Sequence, residues 1–321
     1  MKAIVLAGGH ATRLWPVTKD RAKPLLPLGD KPIIDYIVED LEKEVDEVII
    51  STNEKFGEDF EKYTEEHGRD KTRVIIENQD SEDEKPGTIG AIINLIDQEN
   101  IEDDLLIIGG DNYYSFNTSD FVEFCRERNG PANVVYDVKD FEMATGFGIV
   151  DTEEDRITNF TEKPEEPPST LASTACYFFP GKQLTLFHEY EEYFKETEIP
   201  ADQYLDEPGR LIEWAHEQTS MYAYSFDGDW FDIGTPEGYL EAMKSIVDGN
   251  IVKGDTDNCN IGENVFIMDE CRLENVTIEN SIVFSGVHIQ ESEIRNSLVD
   301  QNSEIIDADL NDAIIGEHTT L

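Results

Sequence analysis

Residues 8–32, GGHATRLWPVTKDRAKPLLPLGDKP, form a basic island in a strongly acidic chain. Residues 1–31 carry Lys2, Arg13, Lys19, Arg21, Lys23 and Lys31 against Asp20 and Asp30, a local net of +4, whereas the whole chain stands at 25 − 71 = −46. An even spread would place only about two basic residues in such a window. The island therefore reads as an anion site. Arg13 offers a planar fork for phosphate oxygens and Lys23 a compact charge. Gly8 and Gly9 supply a turn at which backbone can approach the anion. A second candidate is Asp111, in Gly109-Gly110-Asp111-Asn112. It follows an apolar run, the place where open α/β sheets bind ligands. Taken alone, such an aspartate is more often a turn residue.

These residues need elements to hold them. The apolar run Ile4–Ala7 predicts a strand just before the glycine turn. Pro32 opens a predicted helix, with Ile34, Ile37, Val38 and Leu41 on one face. Further strands are predicted at Val48–Ser51, Val74–Glu77 and Leu105–Ile108, and helices around Phe56–Tyr63 and Thr88–Asp97. Glu82–Lys85 reads as a polar insertion. Later strands are expected at Asn133–Val138, Gly148–Asp151, Ile157–Phe160, Ala175–Phe179 and Met221–Phe226. Thr235-Pro236 reads as an N-cap and first helical residue, opening a helix to about Val247. Alternating strands and helices predict an α/β class: a Rossmann-like, mostly parallel sheet covered on both faces.

The texture changes after Gly249-Asn250. Aliphatic residues recur every five or six positions: Ile261, Ile267, Leu273, Ile278, Val283, Ile289, Ile294, Val299, Ile305, Leu310, Ile315 and Leu321. Proline is absent there. This predicts a short left-handed parallel β-helix of hexapeptide repeats, with near 18 residues per coil and three to four coils. The expected domains are 1–248 and 249–321, the second serving stability or homo-oligomer formation.

Composition narrows the partners. A net charge of −46 argues against nucleic acid and anionic membranes. No apolar run is long enough to span a bilayer or to serve as a secretory h-region, so a soluble, cytoplasmic protein is expected. The charge also suits a very salty cytoplasm, where a Debye length of about 3 Å at 1 M screens repulsion. A halophilic source is the expectation. Cys125, Cys176, Cys259 and Cys271 lack metal-ligand spacing and read as reduced thiols.

The ordered set Gly8-Gly9-His10-Ala11-Thr12-Arg13-Leu14-Trp15-Pro16-Val17-Thr18, then Ala22-Lys23-Pro24-Leu25-Leu26-Pro27, resembles the signature of the sugar-1-phosphate nucleotidylyltransferases. Ala11 stands where that pattern has glycine, and Ala22 where it has proline. Gly87-Thr88-Ile89-Gly90-Ala91, Gly110-Asp111-Asn112, Gly146-Phe147-Gly148, Glu162-Lys163-Pro164 and Trp230-Phe231-Asp232-Ile233-Gly234-Thr235-Pro236 match further segments in the same order. The likeness covers roughly residues 1–248, and a β-helix tail also occurs in the family. Ser173 and Ala175 depart from the residues common there.

The resemblance implies a reaction in which a sugar 1-phosphate attacks the α-phosphorus of a nucleoside triphosphate and releases pyrophosphate. It implies nucleotide contacts from Leu6, Ala7, Gly8, Gly9, Thr12, Arg13, Gly87 and Thr88. The sugar phosphate falls to Gly146, Glu162 and Lys163, and Mg²⁺ to Asp111 and Asp232. Arg13, Lys23, Asp111, Lys163 and Asp232 are the expected catalytic set. No general base is needed, because a phosphate monoester is already anionic near pH 7. The glucose-1-phosphate thymidylyltransferase-like branch is favoured, with dTTP or UTP and glucose 1-phosphate. A GDP-mannose pyrophosphorylase-like enzyme, a non-catalytic nucleotide-sugar-binding regulatory subunit and a β-helix acyltransferase using His288 or His318 are the rivals.

Overall fold

The computed structural model describes residues 1–77 and 87–321; the polar insertion at Glu82–Lys85 lies outside them. The chain divides into two compact units, residues 1–8, 37–110 and 114–230 in one and 9–36, 111–113 and 231–321 in the other.

Among the described residues, the first unit is built on nine strands: β1 (Lys2–Leu6), β2 (Glu47–Thr52), β3 (Thr72–Ile76), β4 (Leu105–Gly109), β5 (Ala132–Asp137), β6 (Gly148–Glu153), β7 (Arg156–Glu162), β8 (Leu171–Phe179) and β9 (Tyr222–Ser225). Their order across the sheet is β3-β2-β1-β4-β8-β5-β9-β7-β6. Only β7 and β8 run against the other strands, so the expected mostly parallel sheet is present. Strands such as Ala3-Ile4-Val5 and Leu105–Ile108 are buried on both faces, which is why they read as continuous apolar runs rather than alternating ones.

Helices α1 (Ile33–Glu44), α2 (Gly57–Glu66) and α3 (Gly87–Gln98) fall where their periodicity predicts. Three others, α4 (Thr118–Arg128), α5 (Thr185–Lys195) and α6 (Pro208–Gln218), are additions to the sequence reading. Their buried sets are small, for example Leu186, Phe187 and Tyr190 in α5, and the surrounding acids dilute the period. Ile89, Ile92 and Ile93 of α3, Phe187 and Tyr190 of α5, and Leu211 and Ile212 of α6 share one core with Ile4, Ile107 and Phe179 of the sheet. Cys125 and Cys176 are free and buried, and burial raises the pKa of both thiols.

The second unit contains three parallel sheets whose strands recur in step from Ile251 to Ile315, the prism of a left-handed β-helix. From Val265 onward the coil takes 16 residues rather than the expected near 18: Ile282 pairs Leu298 and Leu298 pairs Ile314, while Arg272 pairs His288 and His288 pairs Glu304. The reason lies at the corners. Asn264, Glu270, Asn275, Asn280, Glu291, Asn296, Asn302, Asp307 and Asp312 all adopt positive φ, and Gly286 holds the equivalent place. One left-handed residue turns each corner tightly, and asparagine and aspartate tolerate that region best among side-chain-bearing residues. The resulting 5-5-6 spacing sums to a shorter coil. Asparagines also stack, with Asn280 Nδ2 donating to Asn296 Oδ1 at 2.8 Å. The predicted aliphatic series fills the prism from Ile267 to Ile305, while Leu321 is 50% exposed at its end.

Helix α7 (Pro236–Ile246) completes this unit. Thr235 caps it, its Oγ1 accepting from Gly238 N at 3.1 Å. Among the described residues, no helix is long and apolar enough to cross a membrane.

Candidate active site

The basic island follows β1. Ala11 sits at φ 47°, ψ 45° before a 3-10 turn at Thr12–Leu14, so this loop does require the left-handed conformation that a glycine would adopt freely. Thr18 Oγ1 donates to Ala11 O at 2.8 Å and fixes the bend. Ala22 lies at φ −63°, ψ 130°, the conformation a proline would hold, which explains why alanine serves there. The loop's Leu14, Val17, Leu26 and Leu28 are buried with Tyr239 and Met243 of α7, leaving the polar residues to face elsewhere.

Lys23 opens the next 3-10 turn and is 7% exposed. Its Nζ lies 2.5 Å from Asp111 Oδ2. Asp111 Oδ1 accepts from Asn112 Nδ2 at 2.9 Å, and Ile233 N donates to Asp111 O at 3.3 Å. That last bond sets the Asp232 segment beside the Asp111 segment. Gly234 lets them come close at their meeting point: a Cβ there would sit 2.9 Å from Arg13 Nη2 and 3.3 Å from Asp232 Oδ1, so a larger residue would displace the guanidinium. Desolvation by the surrounding protein raises the Asp232 pKa, and the Asp111 charge raises it further, while Lys23 and Arg13 oppose the shift. Arg13, Lys23, Asp111 and Asp232 thus form one electrostatic cluster within the second unit. Thr12 adjoins Arg13 in the same turn, and Gly9 has open space around it.

Two mutually repelling carboxylates with oxygen-only donors suit a hard divalent cation. Among the described residues no group of three or more His, Cys, Asp or Glu could hold a metal. A cation on Asp111 and Asp232 therefore needs its other ligands from water or a bound phosphate, a pattern that fits Mg²⁺.

The remaining expected residues lie in the first unit. Leu6 ends β1, Ala7 N donates to Ser51 O at 2.8 Å, and Asn53 Nδ2 donates to Gly8 O at 2.8 Å. Glu77 closes this group: its Oε1 accepts from Ser51 Oγ at 2.7 Å and would lie 3.4 Å from a Cβ at Gly8. Ser51, Asn53 and Glu77 fall outside the motifs; each is a polar residue at the carboxyl end of a parallel strand, and that position is the signal a sequence reading could use.

Gly87 adopts φ 69°, and a Cβ there would strike Leu205 O at 2.5 Å. At this start of α3, Ile89 N donates to Leu205 O at 2.7 Å, and Thr88 N and Oγ1 lie 3.3 and 3.4 Å from Asp206 Oδ1. Gly87 and Thr88 thus anchor the α3 start to residues 205–206.

Glu162 ends β7 opposite Gly148 of β6. Its carboxylate lies where glycine alone permits: a Cβ at Gly148 would be 2.8 Å from Glu162 Oε2, and one at Gly209 only 1.9 Å. Burial raises the Glu162 pKa against the opposing charge of Lys163. Lys163 is held at φ 44° with Nζ 3.5 Å from Glu162 Oε1, and its N–H donates to Phe147 O at 3.1 Å. Gly146 N donates to Met143 O at 3.1 Å, shaping the turn before β6. In the same unit, β8 carries an irregularity between Ser173 and Tyr177. Asn133 Nδ2 pins it by donating to Thr174 O at 3.0 Å and Cys176 O at 3.1 Å. Gly209 is invisible to a motif reading, because it sits in a helix with no pattern of its own.

Residues 2–249 match the family model described as nucleotidyl transferase. This chain belongs to that family. The nucleotidyltransferase is 28% identical over 306 residues to a glucose-1-phosphate adenylyltransferase of Clostridium novyi, covering 89% of this chain and 78% of the relative. It is 30% identical over 277 residues to the bifunctional protein GlmU of Methanocaldococcus jannaschii, covering 85% of this chain but 60% of that relative. Among solved structures it resembles a Bacillus anthracis chain assigned as a glucose-1-phosphate thymidylyltransferase and crystallised with a sucrose, at TM-score 0.65 and 26% identity, over 79% of this chain and 98% of that one. A UDP-glucose pyrophosphorylase complexed with UDP-glucose shares the fold at TM-score 0.63 and 22% identity, over 76% and 97% of the two chains.

Proposed function

We propose that this enzyme transfers a nucleotidyl group from a nucleoside triphosphate to a hexose 1-phosphate. A phosphate oxygen of the sugar phosphate bonds to the α-phosphorus, the bond from that phosphorus to the bridging oxygen breaks, and pyrophosphate leaves. The cluster of Arg13, Lys23, Asp111 and Asp232 carries the reading, because it pairs cations for a polyphosphate with carboxylates for a divalent ion. Arg13 and Lys23 hold triphosphate oxygens and draw charge from the α-phosphate as its bonds rearrange. Gly8, Gly9 and Thr12 offer backbone and hydroxyl donors, Leu6 and Ala7 line the base, and Gly87 and Thr88 support it. Glu162 accepts hydrogen bonds from sugar hydroxyls, Lys163 meets the sugar phosphate, and Gly146 shapes their turn. Asp111 and Asp232 would hold Mg²⁺, which when bound neutralises phosphate charge.

Thymidine or uridine triphosphate with glucose 1-phosphate is the favoured pair. ATP is the second reading, supported by the adenylyltransferase relatives. Residues 1–248 serve as the catalytic domain and 249–321 as a β-helix that supports a homo-oligomer. The −46 charge suits work in a salty cytoplasm, with neither nucleic acid nor membrane as partner.

A matrix of five triphosphates against glucose, N-acetylglucosamine, galactose and mannose 1-phosphates in molar KCl tests this. Pyrophosphate should appear with one pair, stop on adding chelator, and fall roughly a hundredfold or more in Asp111→Ala, as expected when several kcal/mol of charge stabilisation is lost. Tight binding of a nucleotide sugar without turnover would point to the regulatory subunit, and acetyl transfer from acetyl-CoA to the acyltransferase.

A further inference from the structure

One column of the β-helix breaks the aliphatic rule of its neighbours. The residue directly after the strand in four successive coils is Met268, Phe284, Asp300 and Gly316. The column is held by the coil ladder, with Met268 N donating to Val283 O, Phe284 N to Val299 O and Asp300 N to Ile315 O, each at 2.9 Å. A solenoid repeats its positions for stacking, so four unlike residues in one column call for a partner other than the next coil.

That partner is the basic loop. Met268 and Phe284 share a buried cluster with Leu14, Val17, Leu26 and Leu28. The Arg21 guanidinium lies 5.3 Å from the Phe284 ring centre, and its Nη1 lies 3.4 Å from Asp300 Oδ1. Gly316 admits Pro16: a Cβ there would be 2.8 Å from Pro16 Cγ. In a chain of 71 acids, Asp300 and Asp35 are the least exposed carboxylates among the described residues, at 2% and 3%. Asp300 Oδ1 also accepts from Gln301 N at 2.8 Å, which fixes its direction.

We propose that this column is a fitted seat for residues 14–28, in which Arg21 and Asp300 act as positioning residues for Lys23 and Arg13. The seat grades from apolar through aromatic and acidic to open: Met268 and Phe284 join the cluster that holds Val17 and Leu26, Phe284 and Asp300 meet Arg21, and Gly316 meets Pro16. The β-helix is thereby part of the active-site scaffold. Burial raises the Asp300 pKa more than Arg21 lowers it, so the pair does not stand out as a source of stability; buried ion pairs often contribute little net stability. Its role is to hold the loop.

Hydrogen exchange over residues 9–28 tests the seat directly in the full chain, and kinetics test its consequence, which rests on the activity proposed above. Arg21→Ala and Asp300→Ala should each speed exchange in the loop while exchange in β1 to β4 stays at the wild-type rate. Each should lower kcat and raise the triphosphate KM, together by roughly ten- to a hundredfold in kcat/KM, with the sugar-phosphate KM unchanged. The double variant should be no worse than either single one, and Arg21→Lys should recover part of the loss. Unchanged loop exchange in both single variants would overturn the seat, as would effects in the double variant that simply multiply. Equal loss of protection throughout the chain would reduce the pair to general stability and overturn it too. If the loop loosens as expected but wild-type protein makes no pyrophosphate with any substrate pair, the seat stands and the functional reading falls.

Discussion

At the scale of residues, Ala11 and Gly209 sit under opposite constraints. Ala11 occupies a left-handed conformation, which costs an L-residue about 1–2 kcal/mol. Glycine removes that cost but brings about 0.5–1 kcal/mol of extra chain entropy. Ala11→Gly should therefore leave stability unchanged or raise it by up to about 1.5 kcal/mol, read as the urea midpoint; a loss of that size would contradict the backbone reading. Gly209 is the reverse case. A methyl group there would collide with Glu162 Oε2. Gly209→Ala should raise the sugar-phosphate KM by roughly ten- to a hundredfold, the worth of a charge-assisted hydrogen bond, while the triphosphate KM holds. Motif spacing singles out Arg13, Lys23, Asp111 and Asp232, the residues proposed to meet phosphate and metal, because that proposed chemistry depends on their own side chains. Gly209, Ser51, Asn53 and Glu77 carry no such pattern, because what marks them is what folding sets beside them: Glu162 beside Gly209, and Gly8 beside Asn53 and Glu77.

At the scale of elements, the strongly apolar strands and the aliphatic series of the tail were readable, since burial on both faces or at regular intervals leaves a direct trace. Helices α4 to α6 were not, because short apolar faces are masked by the surrounding acids. The hexapeptide pattern alone overstates the coil length, which the left-handed corners set. Ile289 is 1% exposed in the prism core, stacked between Leu273 and Ile305. Ile289→Ala should lower stability by about 2–5 kcal/mol. Calorimetry of the full chain checks this, and a loss under about 1 kcal/mol would mean that the coils stack loosely.

At the scale of the whole molecule, 71 acids raise the general cost of negative charge, and Asp300 carries it into the interior. A carboxyl whose pKa is raised on folding binds more protons in the native state. Its contribution is most favourable below the unfolded carboxylate range, and stability falls as pH rises through the folded value. Asp300→Asn keeps the shape without the charge. The variant should therefore gain stability relative to wild type as pH rises from about 3 to 7, measured as the difference between the two urea midpoints at each pH. A gap that moves the other way would mean that Arg21 outweighs burial.

The chain's own order of residues was enough to determine its family, its α/β sheet, the solenoid tail and the charged residues proposed to meet phosphate and metal. Those traits rest on local periodicity or on side-chain chemistry, both of which survive in a linear string. Tertiary structure alone decided that Lys23 reaches Asp111, that Glu162 lies in a slot between two glycines, and that one column of the β-helix packs against the basic loop. Each of these joins residues tens to hundreds of positions apart, and such proximity is set by how coils and strands pack, which no local pattern records.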